Sequence, residues 1–469
     1  MAVKIINQRR VIFLREKLEN ALKKSDAEYI DIRIEDVANS WMNFRGKELD
    51  NIGSSKSLGG IVRALVKGGW GYSTFNDVDD LGKRVKEACE SARMVGKEET
   101  KFAPVEPVVD EVKATLEKDF REISLSKKKD TIEEYNKIIL DYHEKIQTTV
   151  VGYADSFKKI WYASSEGAYI EDERPNTFVY TSATARDGNN VQNGSEAVSG
   201  KNGFQIVEGF HKKAENSARK AVDLLSAPPV TGGKYTVIID PKLAGVFAHE
   251  AFGHLSESDF VYENEQMKEI MVLGKRFGSE ILNIIDDGSL VGGIGTHRYD
   301  DEGVKTKKNY LIKDGILVGR LHSRETSAKM GEQPTGNARS IRYEFPPIVR
   351  MTNTYIDKSN TSFEDMIKDI KLGLYAIDSI GGQTSMEMFT FSAARGYMIR
   401  DGKVAELVRD VVLTGNVFDT LMNIDMISDE VIWNPGGPGG CGKGGQSPLP
   451  VGLGGPHVRI QNVVVGGRQ

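Results

Sequence analysis

The chain has 469 residues, enough for two or three domains with real cores, and its 39% hydrophobic and 28% charged composition is that of an ordinary globular protein. A formal net charge of −5 gives no basic footprint for nucleic acid, and no apolar run approaches the length of a membrane span. With Cys89 and Cys441 as its only cysteines the sequence argues against a disulfide framework and leaves each as a thiol or a metal ligand.

The opening stretch, "MAVKIINQRRVIFLREKLEN", lacks the long apolar core and small-residue cleavage site of a secretory signal, so a cytoplasmic location is expected. Residues 8–25 place Val11, Leu14, Leu18 and Leu22 on one stripe and predict an amphipathic helix. "EYIDIRIED" (28–36) alternates apolar and charged residues like a half-buried strand, and "NSWMNFRGKELDN" and "SLGGIVRALVKGGWGYSTFN" read as two more, bent at glycines. Helical spacing returns over 80–95, where Cys89 sits beside Ala88 and Ala92 as a small core residue, and again over 127–145. "TTVVGYADSFKKIWYASS" and "TFVYTSATARDG" are strand-like, and 212–226 is a helix. "SAPPVTGG" (226–233) is the best boundary, because prolines and glycines cluster there and the pattern changes. It divides the chain into an N-terminal α+β domain (1–228) and a C-terminal β-rich domain (229–469).

Beyond the boundary "KYTVIID" is a strand and 241–254 a helix. "NYLIKDGILVGRL" and "YMIRDGKVAELVRDVVL" are hairpins turning at Asp314-Gly315 and Asp401-Gly402, and "HVRIQNVVVGG" is a last strand. Residues 433–456 are mostly glycine and proline. Gly437 to Lys443 fits GxxxxGK, but the next residue is Gly444 rather than Ser or Thr and no helix follows, so a phosphate loop is rejected.

The helix at 241–254 ends in "HEAFGH", with His249, Glu250 and His254. The zinc-peptidase signature HExxH spaces its histidines by four, whereas here they are five apart, ~140° round a regular helix. A one-residue π-bulge would bring the rings back together, or Gly253 would let the helix end or unwind. A catalytic zinc needs three protein ligands and an open position. His143, His211, His297, His322, His457 and any carboxylate are candidates for the third, as is Cys441, whose thiolate is a strong zinc ligand on a flexible loop. Glu250 directly follows a ligand and so points elsewhere, as suits a general base. Glu257 and Asp259 are candidates to orient the histidines, or simply to cap the next turn.

HEAFGH followed by "LSESD", then "PPIVRMTNTYI", "MFTFSAARGYMIRDGKV" and "GGCGKGGQ" with "PVGLGGPHVRIQNVVVGG", resembles the TldD/PmbA family of metalloproteases, in its TldD-type, HExxxH-bearing subunit. The resemblance runs through most of the chain after residue 230 and extends more loosely to "GWGYSTFNDVDD". It implies zinc bound by His249, His254 and Cys441, and Glu250 as the base. It also implies an N-terminal α+β domain of antiparallel sheet with helices, a C-terminal β-rich domain carrying the metal-binding helix, and a dimer enclosing the site. The acids after the second histidine are kept, but "LSESD" is less glycine-rich than the family pattern, so the adjoining turn is expected to differ.

The expected function is therefore a zinc-dependent metallopeptidase acting on extended or unstructured peptides, as a homodimer or as a heterodimer with a PmbA-type subunit, with no nucleic-acid or membrane partner. The rival readings are a zinc amidohydrolase acting on a small molecule and a non-enzymatic peptide-binding subunit. Arg339 and Arg350 are candidate binders of a substrate carbonyl or carboxylate.

Overall fold

The computed structural model describes residues 14–96, 100–385, 387–434 and 439–466. The first helix, α1, covers 14–22. The first six residues of the predicted 8–25 helix lie outside the described residues, as does Gly437 of the rejected phosphate loop.

Seven strands build the first sheet: β1 (Tyr29–Arg45), β2 (Glu48–Val66), β3 (Gly69–Phe75), β4 (Val109–Val112), β5 (Ile146–Ser164), β6 (Tyr169–Asp187) and β7 (Asn190–Gly200). They lie in the order β3-β2-β1-β5-β6, antiparallel throughout, with β7 antiparallel and β4 parallel on the far side of β6. The strands are longer than the sequence suggested. β1 does not stop at Asp36, because Asn39 and Ser40 pair with Ser55 and Ser54 of β2 and the polar stretch continues the ladder. β6 runs through Pro175, a residue that removes a ladder donor. It is tolerated because β4 pairs with Tyr169 to Asp172 and β7 from Thr177 onward, so Pro175 faces a gap between two partners. β7 is rich in glycine, asparagine and serine, which is why its sequence carried no strand signal.

Even-numbered residues of β1 face helices. Ile30, Ile32 and Ile34 pack with Leu18 of α1 and with Val85 and Ala88 of α2 (Leu81–Val95). Met42 and Phe44 pack with Ile132 and Tyr135 of α3 (Leu125–Leu140) and with Ala214 and Ala218 of α4 (His211–Ser226). The alternate residues Asp31, Arg33 and Glu35 are 1–2% exposed. The strand is thus buried on both sides rather than half-buried, because its charged face meets ion-pair partners from the second half of the chain. Arg33 pairs with Asp301 at 3.0 Å and Arg63 with Glu302 at 3.1 Å.

The second half opens with β8 (Gly233–Ile239) and helix α5 (Pro241–Ala248). Then come β9 (Ile284–Asp287), β10 (Lys308–Lys313), β11 (Ile316–Leu317), β12 (Ala338–Arg339), β13 (Ile348–Val349), β14 (Asn353–Ile356), β15 (Leu372–Ser385), β16 (Met388–Arg400), β17 (Lys403–Val408), β18 (Val411–Asn416) and β19 (Ile424–Ile427). β20 (Ile432–Asn434), β21 (Cys441–Lys443), β22 (Gln446–Leu449), β23 (Gly452–Gly455) and β24 (Val458–Gly466) complete the set. One sheet closes on itself through β8, β15, β16, β18 and β24, with β17 on β16 and β19 on β24. A second runs β11-β10-β9-β14-β23-β20, while β12–β13 and β21–β22 are separate pairs. Both predicted DG turns form, with positive φ at Asp314 and Gly315 and at Asp401 and Gly402, as a two-residue hairpin of matching twist requires. The architecture is α+β with a β-rich C-terminal portion. No helix among the described residues is long and apolar enough to cross a membrane.

Candidate metal centre

The ligand-bearing helix is prepared locally. β8 leads into Asp240, whose side chain accepts the Leu243 N–H at 2.8 Å, and Pro241 occupies the first turn, where no N–H is needed. Leu243, Ala244, Phe247 and Ala248 are buried, and Phe247 meets the rings of Phe389 and Phe391 on β16. Gly245 lets the helix approach β23 closely, since a Cβ there would sit 2.6 Å from the Gly454 nitrogen.

At His249 the ladder changes. Residues His249–Gly253 form a π-turn, and the His254 N–H donates to the carbonyl of His249, five residues back. The wider turn cancels the extra residue of the HEAFGH spacing. The two imidazole rings come within 4.9 Å, centroid to centroid, at an interplanar angle of 81°. The regular helix expected over 241–254 is therefore α-helical only to Ala248, and a short 3₁₀ turn, His254–Ser256, follows the π-turn. Gly253 keeps helical angles, φ −57° and ψ −50°, so it does not unwind the helix. What it supplies is room, because a Cβ there would lie 2.1 Å from Met351 Sδ.

Cys441 arrives from β21, and its sulfur lies 3.4 Å from His254 Nε2. One ligating atom from each of His249, His254 and Cys441 can be chosen so that all lie within 4.8 Å of one another, and this trio is the one His/Cys/Asp/Glu cluster of that kind among the described residues. Two arginines hold the surrounding backbone. Arg350, fully buried, donates to the Cys441 carbonyl at 2.6 Å and the Gln446 carbonyl at 3.1 Å, fixing β21 to β22. Arg339 donates to the carbonyls of Met351 and Pro450. Both bind carbonyls of the chain itself, which fills the role the sequence left open for substrate.

Glu250 is 30% exposed, and its Oε2 lies 4.0 Å from His254 Nε2. Glu257, 1% exposed, accepts from His254 Nδ1 at 3.0 Å and so turns Nε2 toward the sulfur. Asp259 touches neither histidine; it pairs with Lys443 at 2.6 Å. Lys443 went unrecognised in the sequence except as a phosphate-loop lysine, because its partners come from residues made adjacent only by folding. The other histidines lie elsewhere: His211 against Glu134, His322 against Glu332, His457 against Tyr375, His143 at the Lys145 N–H and His297 on the Gly295 carbonyl.

The trio sets its own protonation. Burial pushes the Cys441 thiol up, but contacts with His249 and His254 more than reverse this and bring it down to about 5. Burial pushes His254 down, and its bonds to Cys441 and Glu257 raise it to about 10. A thiol so placed is ionised near neutral pH, which is the form that ligates. His249 Nδ1 is buried with no hydrogen-bond partner among the protein atoms, a costly state for an imidazole unless another ligand engages the ring. Two imidazoles and a thiolate with one side open fit a zinc ion of the catalytic type.

Three family models match the chain. The PmbA/TldA metallopeptidase domain 1 matches residues 30–93, the central domain 118–225 and the C-terminal domain 232–467. A metalloprotease from Synechocystis is 45% identical over 95% of this chain and 96% of its own length. A zinc metalloprotease TldD homolog from Saccharolobus solfataricus is 33% identical over 69% of this chain and 72% of its own. In three dimensions the chain resembles TldE from Thermococcus kodakarensis, with a TM-score of 0.75 at 18% identity over 97% of this chain and 100% of that one.

Proposed function

The chain belongs to the TldD/PmbA metallopeptidase family, and from that premise we propose that it hydrolyses extended or unstructured peptides at a zinc centre held by His249, His254 and Cys441, with Glu250 as general base. The observation that carries this reading is the π-turn. It spends an irregular helical turn to put two histidines on one face, opposite a thiol delivered from the far end of the chain. Functional sites are where such turns recur.

A zinc ion held by His249, His254 and Cys441 would supply Lewis acidity to the site. The rest falls to the chain. Glu250, partly exposed beside the trio, takes the proton from the attacking water and returns it to the leaving amine. Glu257 keeps His254 facing the sulfur. The substrate class is supported by β21, which pairs with β22 alone among the described residues. The Cys441 carbonyl is taken by Arg350, so the exposed Gly442 is where an extended peptide would add main-chain bonds, in the manner of strand addition. A TldE-like fold over nearly the whole chain supports assembly as a homodimer or as a heterodimer with a PmbA-type subunit. Light scattering of the chain alone and mixed with such a subunit distinguishes the two.

The purified protein should hold about one zinc per chain, the stoichiometry of a single catalytic site, and lose peptide cleavage to a strong chelator. Cys441→Ala should strip or weaken the metal. Cys89→Ala should leave it in place, since Cys89 is buried near Ser25 in the first half of the chain. Equal zinc content in the two variants would place the third ligand elsewhere.

A further inference from the structure

We propose that Lys443 is a positioning residue of the metal centre, tying the strand that carries Cys441 to the turn that follows His254 and holding the His254 ring in place through Glu257. The inference rests on the zinc reading of His249, His254 and Cys441.

The three ligands come from two segments far apart in the chain. Something has to fix the distance between those segments, because a ligand set loose by an ångström binds weakly. Arg350 ties the backbones of β21 and β22 to the segment between β13 and β14, and makes no bond to the turn that carries the histidines. Lys443, two residues after Cys441, reaches across to the other segment. Its Nζ lies 3.1 Å from Glu257 Oε2 and 2.6 Å from Asp259 Oδ1, and it donates to the Val349 carbonyl at 2.9 Å. An ammonium has three donors, and all three are used.

Glu257 is the relay. The same oxygen that meets Lys443 also meets His254 Nδ1, at 3.0 Å. Its other oxygen, Oε1, is buried without a partner. The direction of this carboxylate is therefore set from two sides only, by the histidine it orients and by Lys443. Removing the lysine leaves a buried carboxylate held by the ring it is meant to hold. His254 then loses the constraint that aims Nε2 at the sulfur 3.4 Å away. The three acceptors surround a point, which suits a compact ammonium with rotating donors better than a planar guanidinium.

The test uses the full-length protein, stripped of metal. Zinc affinity is measured by competition with a chromophoric chelator, and the cobalt-loaded protein is examined for its thiolate-to-metal band. Lys443→Met should weaken zinc by roughly ten- to a hundredfold, the usual cost of losing a partner behind a ligand, and should shift the cobalt band. The metal-free protein should still be folded at the assay temperature, although its unfolding midpoint should fall, because Glu257 keeps its buried charge with one partner fewer. Lys443→Arg should recover part of the affinity. Asp259→Asn, which removes the lysine's second anchor and touches neither histidine, should give a smaller loss in the same direction; it decides the matter if Lys443→Met does not fold. Affinity in Lys443→Met within about threefold of wild type, with an unchanged cobalt band, overturns the proposal. So does an equal loss of affinity in the Met and Arg variants with an unshifted cobalt band in both, which would make Lys443 a packing residue. A wild-type protein that binds no zinc, or His254→Ala binding as tightly as wild type, overturns the underlying zinc reading instead.

Discussion

Glu250 and His249 are neighbours in sequence, and on a helical turn successive side chains diverge by about 100°, so only one of them can face the sulfur squarely. The two side chains accordingly part: His249 is buried within the trio, and Glu250 lies 30% exposed beside it, 4.0 Å from His254 Nε2. Glu250→Gln keeps the size and the reach for hydrogen bonds but cannot accept a proton from water. A general base contributes roughly 10²- to 10⁴-fold, so cleavage of an unstructured peptide, followed by mass spectrometry, should fall by at least the lower figure. Zinc content and fold should be retained. Undiminished cleavage would remove Glu250 from the mechanism. The residues of this centre were legible in the sequence where side-chain type alone carries the chemistry, as for imidazole, thiol and the acid beside them. Lys443 and Arg350 were not, because a lysine or arginine acquires its meaning from the carbonyls and carboxylates that folding places around it. Arg350 looks like a substrate binder until its donors are found on Cys441 and Gln446.

Among the elements, α5 and the π-turn decide whether the histidines meet, and the helix starts from an unusual cap. Asp240 is 8% exposed, and burial pushes its carboxyl up to about 6 from an ordinary 3.8. The folded protein therefore holds a proton here that the unfolded chain releases, and stability contributed by this group falls as pH rises from about 4 to about 6, then levels off. A shift of this size corresponds to about 3 kcal/mol. Asparagine caps a helix about as well as aspartate and has no charge to bury. Urea unfolding of Asp240→Asn against wild type should show an advantage for the variant that grows between those two pH values and is constant above them. An advantage independent of pH would mean that the cap is not protonated in the folded state. Most elements were readable from periodicity and turn residues, including both DG hairpins and the helix at 81–95. The strand ends were not. β1 continues through serine and asparagine because β2 answers with serines, and β6 passes Pro175 because no neighbour there demands an N–H. Such reasons exist only in the partner strand. The π-turn could be inferred as a need from the five-residue spacing, but the spacing did not choose between bulging and unwinding; in the structure the helix bulges, and Met351 packs into the space a side chain at Gly253 would take.

On the scale of the whole molecule, the two halves of the chain meet through buried charge. The alternation of "EYIDIRIED" announced two unlike faces, but a charged face normally signals solvent, and nothing in that stretch discloses that Asp301 and Glu302 will cover it. In the structure Asp301 is 6% exposed and lies 3.0 Å from both Arg33 and Arg174, while Ser340 donates to it from its backbone at 2.8 Å. Burial pushes its carboxyl up, but Arg33 and Arg174 outweigh that and hold it far below the usual carboxylate range. Breaking a buried pair by removing one partner leaves the other charge uncompensated and typically costs about 3–5 kcal/mol. Asp301→Ala should lower the free energy of unfolding by an amount toward the lower end of that range, since Arg33 and Arg174 lose the carboxylate they share but keep Glu35 and Asp172 respectively. Asp301→Asn keeps the shape and isolates the charge. Because the folded carboxyl titrates below the unfolded one, its stabilisation is complete above about pH 4 and declines as the pH falls further. The gap between wild type and Asp301→Asn, measured by urea unfolding from pH 7 down to pH 3, should therefore be flat through the upper part of the range and begin to close at its acid end. A gap that stays constant to pH 3, or one that widens toward acid, contradicts the pairing, because the unfolded carboxyl takes up its proton in that range however far the folded one is depressed. A negligible gap at pH 7 would mean that the halves are joined by packing and hydrogen bonds, with the ion pairs adding nothing.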